Sequence, residues 1–397
     1  MHKMSTRPEG KPAVAEERDD MRTLLCALML ALSMVAHAAP DWFKDIDVCN
    51  GWYGDWDDSI MAKMQDVPFV VAANPTSDIL TKAHKLNTRI LACVTFCEMP
   101  RNEYYQHLNI SEHPGWVCIH ADGREGESAL HKGSAPKWVT TCPNTIGFHD
   151  YAVKTVRLLM EQGMDGIFID NGQPDTVCEG PKFGKHKHIY PNKNNTYAYR
   201  RLLEDIHDEV RRFGDKIVIV NPGSPREDWV GACDGQMLES YICSRASKNR
   251  WPESKILAYR NQVGSYPGKG CAIVALSYVG GNESTCRDDA FYCFAWARLS
   301  GFIWADWFTG KTCAKDLYLV RLGPADGPME THDGYYSRTF KNGMVVATSE
   351  TKGASFNIPA KDRSDMLDLY NAQILQPGKS GDYEIILDKG QGRVYTW

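Results

Sequence analysis

The stretch Gly163-Met164-Asp165-Gly166-Ile167-Phe168-Ile169-Asp170-Asn171 decides the reading of the fold. A Gly/Asp turn leads into a short apolar strand, and the strand ends abruptly on a carboxylate and an amide. Nothing in the packing of a buried parallel strand calls for that ending. At the C-terminal mouth of a closed parallel barrel it reads as chemistry, because strand ends there form the active face. Asp and Asn would equally serve as N-caps for whatever follows, so the surrounding sequence has to decide.

Outward from this strand, apolar runs alternate with amphipathic stretches. Residues 45–50, 67–73 and 89–96 read as strands one to three, and 166–170 as the fourth. Residues 216–220, 235–238, 271–276 and 301–304 complete a set of eight. Helical spacing of apolar residues marks 149–162, 196–213, 251–263 and 288–299. Two irregular loops, about 99–142 and 171–195, interrupt the pattern. Eight β-α alternations make an α/β chain with a TIM-type (β/α)8 barrel over 39–326. A doubly wound sheet is the alternative, but no Gly-rich dinucleotide turn follows strand one. Beyond Ala325 the period changes to two, with turns at Lys341-Asn342-Gly343 and Pro377-Gly378, which predicts a small C-terminal antiparallel β-sandwich over 327–397.

The N-terminus reads as an address. Met21-Arg22-Thr23 precedes an apolar run, Leu24 to Val35, and Ala36-His37-Ala38 offers a small-x-small cleavage site. Residues 1–38 are thus a polar extension plus a secretory signal, too short to span a bilayer, which predicts a secreted or periplasmic protein with no membrane attachment after cleavage. The chain holds 13 cysteines, 12 of them beyond this segment, and an even number in an exported chain suggests disulfides. Cys118 with Cys142 is the pairing expected, since the two bracket one loop. A zinc reading is the minor one: Cys93 and Cys97 lack a matching pair, and His186 and His188, spaced to share a face, have no third ligand nearby in sequence. No metal or cofactor is expected. The net charge of −5 leaves no basic footprint for nucleic acid, and nothing points beyond a monomer.

On the barrel reading the strand ends converge on one face. They bring together Asp47, Asn50, Glu98, Asp170, Asn171, Asn221, Glu239, Tyr241, Tyr278 and Asp306, with Trp52, Tyr53, Trp304 and Trp307 as interleaved rings. Acids, amides and aromatic rings suit a sugar cleft. Glycoside hydrolysis needs two carboxyl groups flanking the bond, one protonated and one ionised. Asp170 is the candidate nucleophile or base. Glu239 is the candidate acid, because Asp234-Gly235-Gln236-Met237-Leu238-Glu239 repeats the Asp-Gly, strand, carboxylate order of the fourth strand. An ion pair or a cap is the plainer role for Glu239. Asp47 and Asn50 would bind substrate or brace the mouth, Asp306 would orient hydroxyls, and Glu98 is a reserve acid. His120, His131 and His149 lie around the long loop as weaker candidates.

Taken together, the run ending at Asp170, Asn221-Pro222-Gly223, the run ending at Glu239 and the terminal β-domain resemble (β/α)8-barrel glycoside hydrolases. The likeness is loosely to polygalactosaminidase-like and α-amylase-related barrels. That resemblance implies an Asp nucleophile at the fourth strand tip, here Asp170, and a Glu acid/base on a later strand, here Glu239. The chain departs from these families: a chitinase-type strand would carry acids at Phe168 and Gly172, and an α-amylase strand would carry Arg at Phe168. No particular sugar therefore carries over, and the expectation is a glycoside hydrolase of an oligo- or polysaccharide. The alternatives are a non-catalytic carbohydrate-binding barrel and, with less support, a metal-dependent hydrolase.

Overall fold

The computed structural model describes residues 39–50, 61–62, 64–73, 75–106, 108–129, 131–172, 176–191, 194–244, 249–279, 283–306, 314–360 and 365–397. Eight strands close into a barrel: β1 (Val48–Asn50), β2 (Phe69–Ala73), β3 (Arg89–Thr95), β4 (Gly166–Asp170), β5 (Ile217–Val220), β6 (Gly235–Leu238), β7 (Ala272–Ser277) and β8 (Ile303–Asp306). Each strand pairs in parallel with its neighbours in chain order, and β8 pairs back onto β1. Helices α1 (Ser77–Lys85), α2 (Ile146–Glu161), α3 (Asn195–Arg211), α4 (Glu253–Val263) and α5 (Glu283–Ser300) lie in five of the connections, and a single 3-10 turn, Glu227–Trp229, lies between β5 and β6. Apolar spacing does not mark α1, a short helix that buries only Leu80 and Ala83 and begins with the Thr76 hydroxyl accepting the Ile79 N–H. Among the described residues no helix is long and apolar enough to cross a membrane.

Alternation along each strand sorts side chains into two cores. Phe69, Val71, Leu91, Phe168, Ile217, Ile219, Met237, Val274, Leu276, Ile303 and Ala305 fill the barrel interior. Their sequence neighbours Val70, Ile167, Ile169, Val218, Leu238, Ile273 and Trp304 face the helices. Because the period is two, this sorting also decides which strand-end residues point into the mouth. Phe43, on the short helix Asp41–Lys44, belongs to the interior cluster.

The repeated Asp-Gly entry has a structural reason at the opposite end of the barrel. Asp165 accepts the Ile90 N–H at 2.9 Å, and Asp234 accepts the Val218 N–H at 2.8 Å, so each carboxylate ties its own strand's start to a neighbouring strand. Arg211 and His207 also bind Asp234. Gly166 sits where a Cβ would collide with the Ile217 carbonyl.

The C-terminal part adds β9 (Glu330–Thr331), β10 (Tyr335–Phe340), β11 (Gly343–Thr348), β12 (Ala354–Pro359), β13 (Met366–Asp368), β14 (Gln373–Leu375), β15 (Asp382–Leu387) and β16 (Gly392–Thr396). They form a six-stranded sheet in the order β9-β10-β11-β16-β13-β14 and a pair β12-β15, enclosing Val346, Ile358, Met366, Tyr383, Ile385 and Tyr395. The sheet lies close on α5, and a Cβ at Gly392 would strike the Phe291 carbonyl.

Candidate active site

Strand parity brings four of the sequence-predicted residues together. Asp170 follows Phe168, Asn221 follows Ile219, Glu239 follows Met237 and Tyr278 follows Leu276, each two residues beyond an interior side chain. They line one cavity of about 360 Å³ at the barrel mouth. Asn221 sits between the acids: its Nδ2 donates to Asp170 Oδ1 at 2.9 Å and to Glu239 Oε2 at 3.0 Å. Since one nitrogen reaches both, at 2.9 Å and 3.0 Å, the two acceptor oxygens are less than about 6 Å apart. The Tyr278 hydroxyl donates to Glu239 Oε1 at 2.6 Å.

Both acids are followed by a left-handed residue, Asn171 (φ 53°) after Asp170 and Ser240 (φ 60°) after Glu239. Non-glycine residues adopt this conformation at a cost, and such strain gathers at functional sites. The chain turns sharply out of each strand, leaving the acid at the rim. At β4 the turn is fastened by the Gly172 N–H donating to the Asn221 carbonyl at 2.9 Å.

Burial holds the Asp170 carboxyl above the ordinary carboxylate range. Glu239 and Glu98 push it the same way, while the Asn221 amide and the Asn171 backbone N–H oppose the shift.

The rest of the cavity wall comes from the loop after β3. His131, Trp138 and Tyr105 line it, with His131 stacked on Trp138 at 4.2 Å and Tyr105 edge-on to Trp138 at 5.5 Å. Trp138 begins a short strand, Trp138–Thr140, that pairs antiparallel with Glu98–Pro100. Nothing in the periodicity of the sequence singles out Tyr105 or Trp138. His131 was only one of three loop histidines; of the others, His120 is exposed and His149 is buried beside Asp205.

Several expected site residues have other work. Glu98 is buried and is not a free acid: it accepts Asn171 Nδ2 at 2.8 Å, lies 3.2 Å from His131 Nε2 and accepts the Ser128 hydroxyl. It braces the loop against the β4 tip. Asn171, its donor, does line the cavity. Asp47 lies at the start of β1, away from the mouth, paired with Arg298 at 2.9 Å and accepting the Leu322 N–H at 2.8 Å. Trp304 and Tyr241 are fully buried in the layer between barrel and helices, so neither is a sugar platform. Asn50 and Asp306 share outward parity and meet through Tyr318, whose hydroxyl accepts Asn50 Nδ2 at 2.9 Å and donates to Asp306 Oδ2 at 3.3 Å. Neither lines the cavity with Asp170 and Glu239. Trp52, Tyr53 and Trp307 lie outside the described residues.

Two further expectations are corrected. Cys118 and Cys142 are free thiols in a buried cluster with Cys178, not a disulfide. His186 and His188 do not lack further ligands: Cys142 and Cys178 lie beside them, with one potential ligand atom from each of the four within 4.8 Å of the others.

A closed parallel barrel with two carboxylates at its mouth fits the barrel glycoside hydrolases. The chain belongs to hypothetical glycosyl hydrolase family 15 (GHL15), whose family profile matches residues 73–344. It is accordingly an enzyme of the glycoside hydrolase class. Solved structures with the same fold include a trehalose-6-phosphate hydrolase from Bacillus licheniformis (TM-score 0.58, 8% identity, 90% of this chain and 99% of that one). An α-amylase from Geobacillus thermoleovorans complexed with acarbose is similar too (TM-score 0.56, 9% identity, 88% and 98%). The glycoside hydrolase domain of PelA from Pseudomonas aeruginosa is more alike in sequence but less in shape (16% identity, TM-score 0.46, 66% and 94%). No curated protein matches the chain by sequence.

Proposed function

We propose that this enzyme hydrolyses glycosidic bonds in an oligo- or polysaccharide by a retaining double displacement, with Asp170 as nucleophile and Glu239 as general acid and then base. The observation that carries the reading is the single amide of Asn221 donating to both carboxylates. A retaining pair stands about 5–5.5 Å apart, whereas an inverting pair needs a wider gap for water, and the shared donor supports the narrower spacing. Asp170 attacks the anomeric carbon while Glu239 gives its proton to the leaving oxygen. Glu239 then takes a proton from the water that releases the sugar. The wall of Tyr105, His131 and Trp138 offers rings for the apolar face of a pyranose. Proton NMR of the first product formed tests the stereochemistry: the substrate's anomeric configuration is expected to be retained, and an inverted product would refute the double displacement.

One observation favours exchanged roles. Burial raises the Asp170 carboxyl, the direction a general acid needs. Trapping the glycosyl-enzyme with a 2-fluoroglycoside and mapping the labelled peptide separates the two assignments, since the label marks the nucleophile.

We further infer that the chain is exported, on the strength of the basic, apolar and small-x-small segments at 21–38. Cys243 and Cys293, with sulfurs 3.5 Å apart, then stand ready to oxidise to a disulfide. N-terminal sequencing of the mature protein is expected to begin at Ala39, and recovery of an intact Met21 would refute cleavage.

A further inference from the structure

We propose that Cys142, Cys178, His186 and His188 bind a zinc ion that staples together the two long loops at the barrel mouth. The four residues come from both loops: Cys142 closes the segment after β3, and the other three lie in the segment after β4. Cys142 Sγ is 3.6 Å from His188 Nε2, and Cys178 Sγ is 3.3 Å from His186 Nε2. A tetrahedral zinc with bonds of about 2.0–2.3 Å separates its ligand atoms by roughly 3.3–3.8 Å. The donor set, two sulfurs and two imidazole nitrogens, is one that zinc favours.

The surroundings suit a metal-bound thiolate. Cys178 Sγ receives the backbone N–H groups of Ile119 at 3.4 Å and Gly180 at 3.5 Å. Outer donors of this kind orient a metal ligand and stabilise its charge. Gly180 also makes room for His186, since a Cβ there would strike the imidazole. His186 and His188 flank one residue, and their rings lie together, with centroids 5.3 Å apart. Cys118 is the neighbouring sulfur but lies outside this group of four, with its Sγ 3.0 Å from the Thr141 carbonyl. With three sulfurs together, the rival arrangement is a disulfide from Cys118 to Cys142 or Cys178.

The role is structural. The loop after β3 carries His131 and Trp138 into the cavity, and the loop after β4 begins at the nucleophile's tip. Joining them would hold the cavity wall in register with Asp170. Metal binding takes the thiols as thiolates, with their protons released to solvent.

The test is metal analysis of the full chain, purified without chelator and then dialysed. About one zinc per chain is expected, retained in Cys118→Ser and lowered at least ten-fold in Cys178→Ser and His186→Ala. Because those two variants could fail to fold, cobalt is also added to the metal-stripped wild type. The intense visible absorption of tetrahedral cobalt with thiolate ligands is expected, together with protection of Cys142 and Cys178 from alkylation. Wild type that takes up neither zinc nor cobalt under reducing conditions would overturn the proposal. So would peptide mapping that finds Cys118 bonded to Cys142 or Cys178.

Discussion

Replacing Asn221 by Ala removes the one side chain that touches both acids, at 2.9 Å and 3.0 Å. A hydrogen bond to a charged group contributes about 1.5–3 kcal/mol. Asn221 is 5% exposed, but the two acids are half-buried, so water re-enters and recovers part of the loss. We expect about 2–3 kcal/mol lost from the transition state, which is roughly a 30- to 150-fold fall in kcat/KM. The pH profile carries a second signature. The Asn221 amide is the largest influence holding the Asp170 carboxyl down against burial. Without it the carboxyl titrates at higher pH, so the acidic limb, which reports its ionisation, moves upward. The assay is kcat/KM across pH on a cleaved glycan, with circular dichroism to confirm folding. A fall smaller than three-fold with an unmoved acidic limb would show that Asn221 does not hold the two acids.

Other perturbations separate chemistry from architecture. Tyr278→Phe deletes the 2.6 Å hydrogen bond to Glu239 and is expected to lower kcat about 10-fold with little change in melting temperature. Trp304→Ala is expected to cost about 3–5 kcal/mol in denaturant unfolding and to leave the KM of the surviving folded enzyme unchanged, because the ring is enclosed away from the mouth. A raised KM would place the ring in a subsite after all. Gly166→Ala forces a methyl group into the Ile217 carbonyl, and urea unfolding is expected to show a loss of roughly 2–4 kcal/mol. Asp170→Asn removes a carboxylate that burial disfavours. The variant is expected to melt above wild type at neutral pH, with the gap closing as the pH falls and wild-type Asp170 takes up its proton.

The strands were legible because their apolar runs are short, bounded by turns and repeated eight times. Residues 166–170 and 235–238 emerged with their observed ends, since Asp-Gly marks each entry and an acid each exit. Which strand-end residues reach the cavity was less clear, although the rule was available. Phe168 and Asp170 share a parity, as do Met237 and Glu239, so both acids face inward. Trp304 and Asp306 share the opposite parity to Ile303 and Ala305, which sets them apart from the cavity. Asp47 misled because an acid near a strand can stand at either end of it; here it holds Arg298 at the far end. Tyr105 and Trp138 gave no signal, for a loop hairpin has no period that reveals which ring will fold over the mouth. The histidine pair at 186 and 188 was visible, but its sulfur partner Cys142 belongs to a different connection, and only the fold brings them side by side.

Asp170 and Glu239 are proposed together to carry out glycoside hydrolysis. Reducing-end release across a panel of polysaccharides, comparing wild type with Asp170→Asn and Glu239→Gln at matched folding, tests it most directly. Wild type is expected to cleave at least one glycan and each variant to lose at least 1,000-fold of that activity, about 4 kcal/mol of transition-state stabilisation. A folded variant that cleaves the same glycan at near the wild-type rate would contradict it.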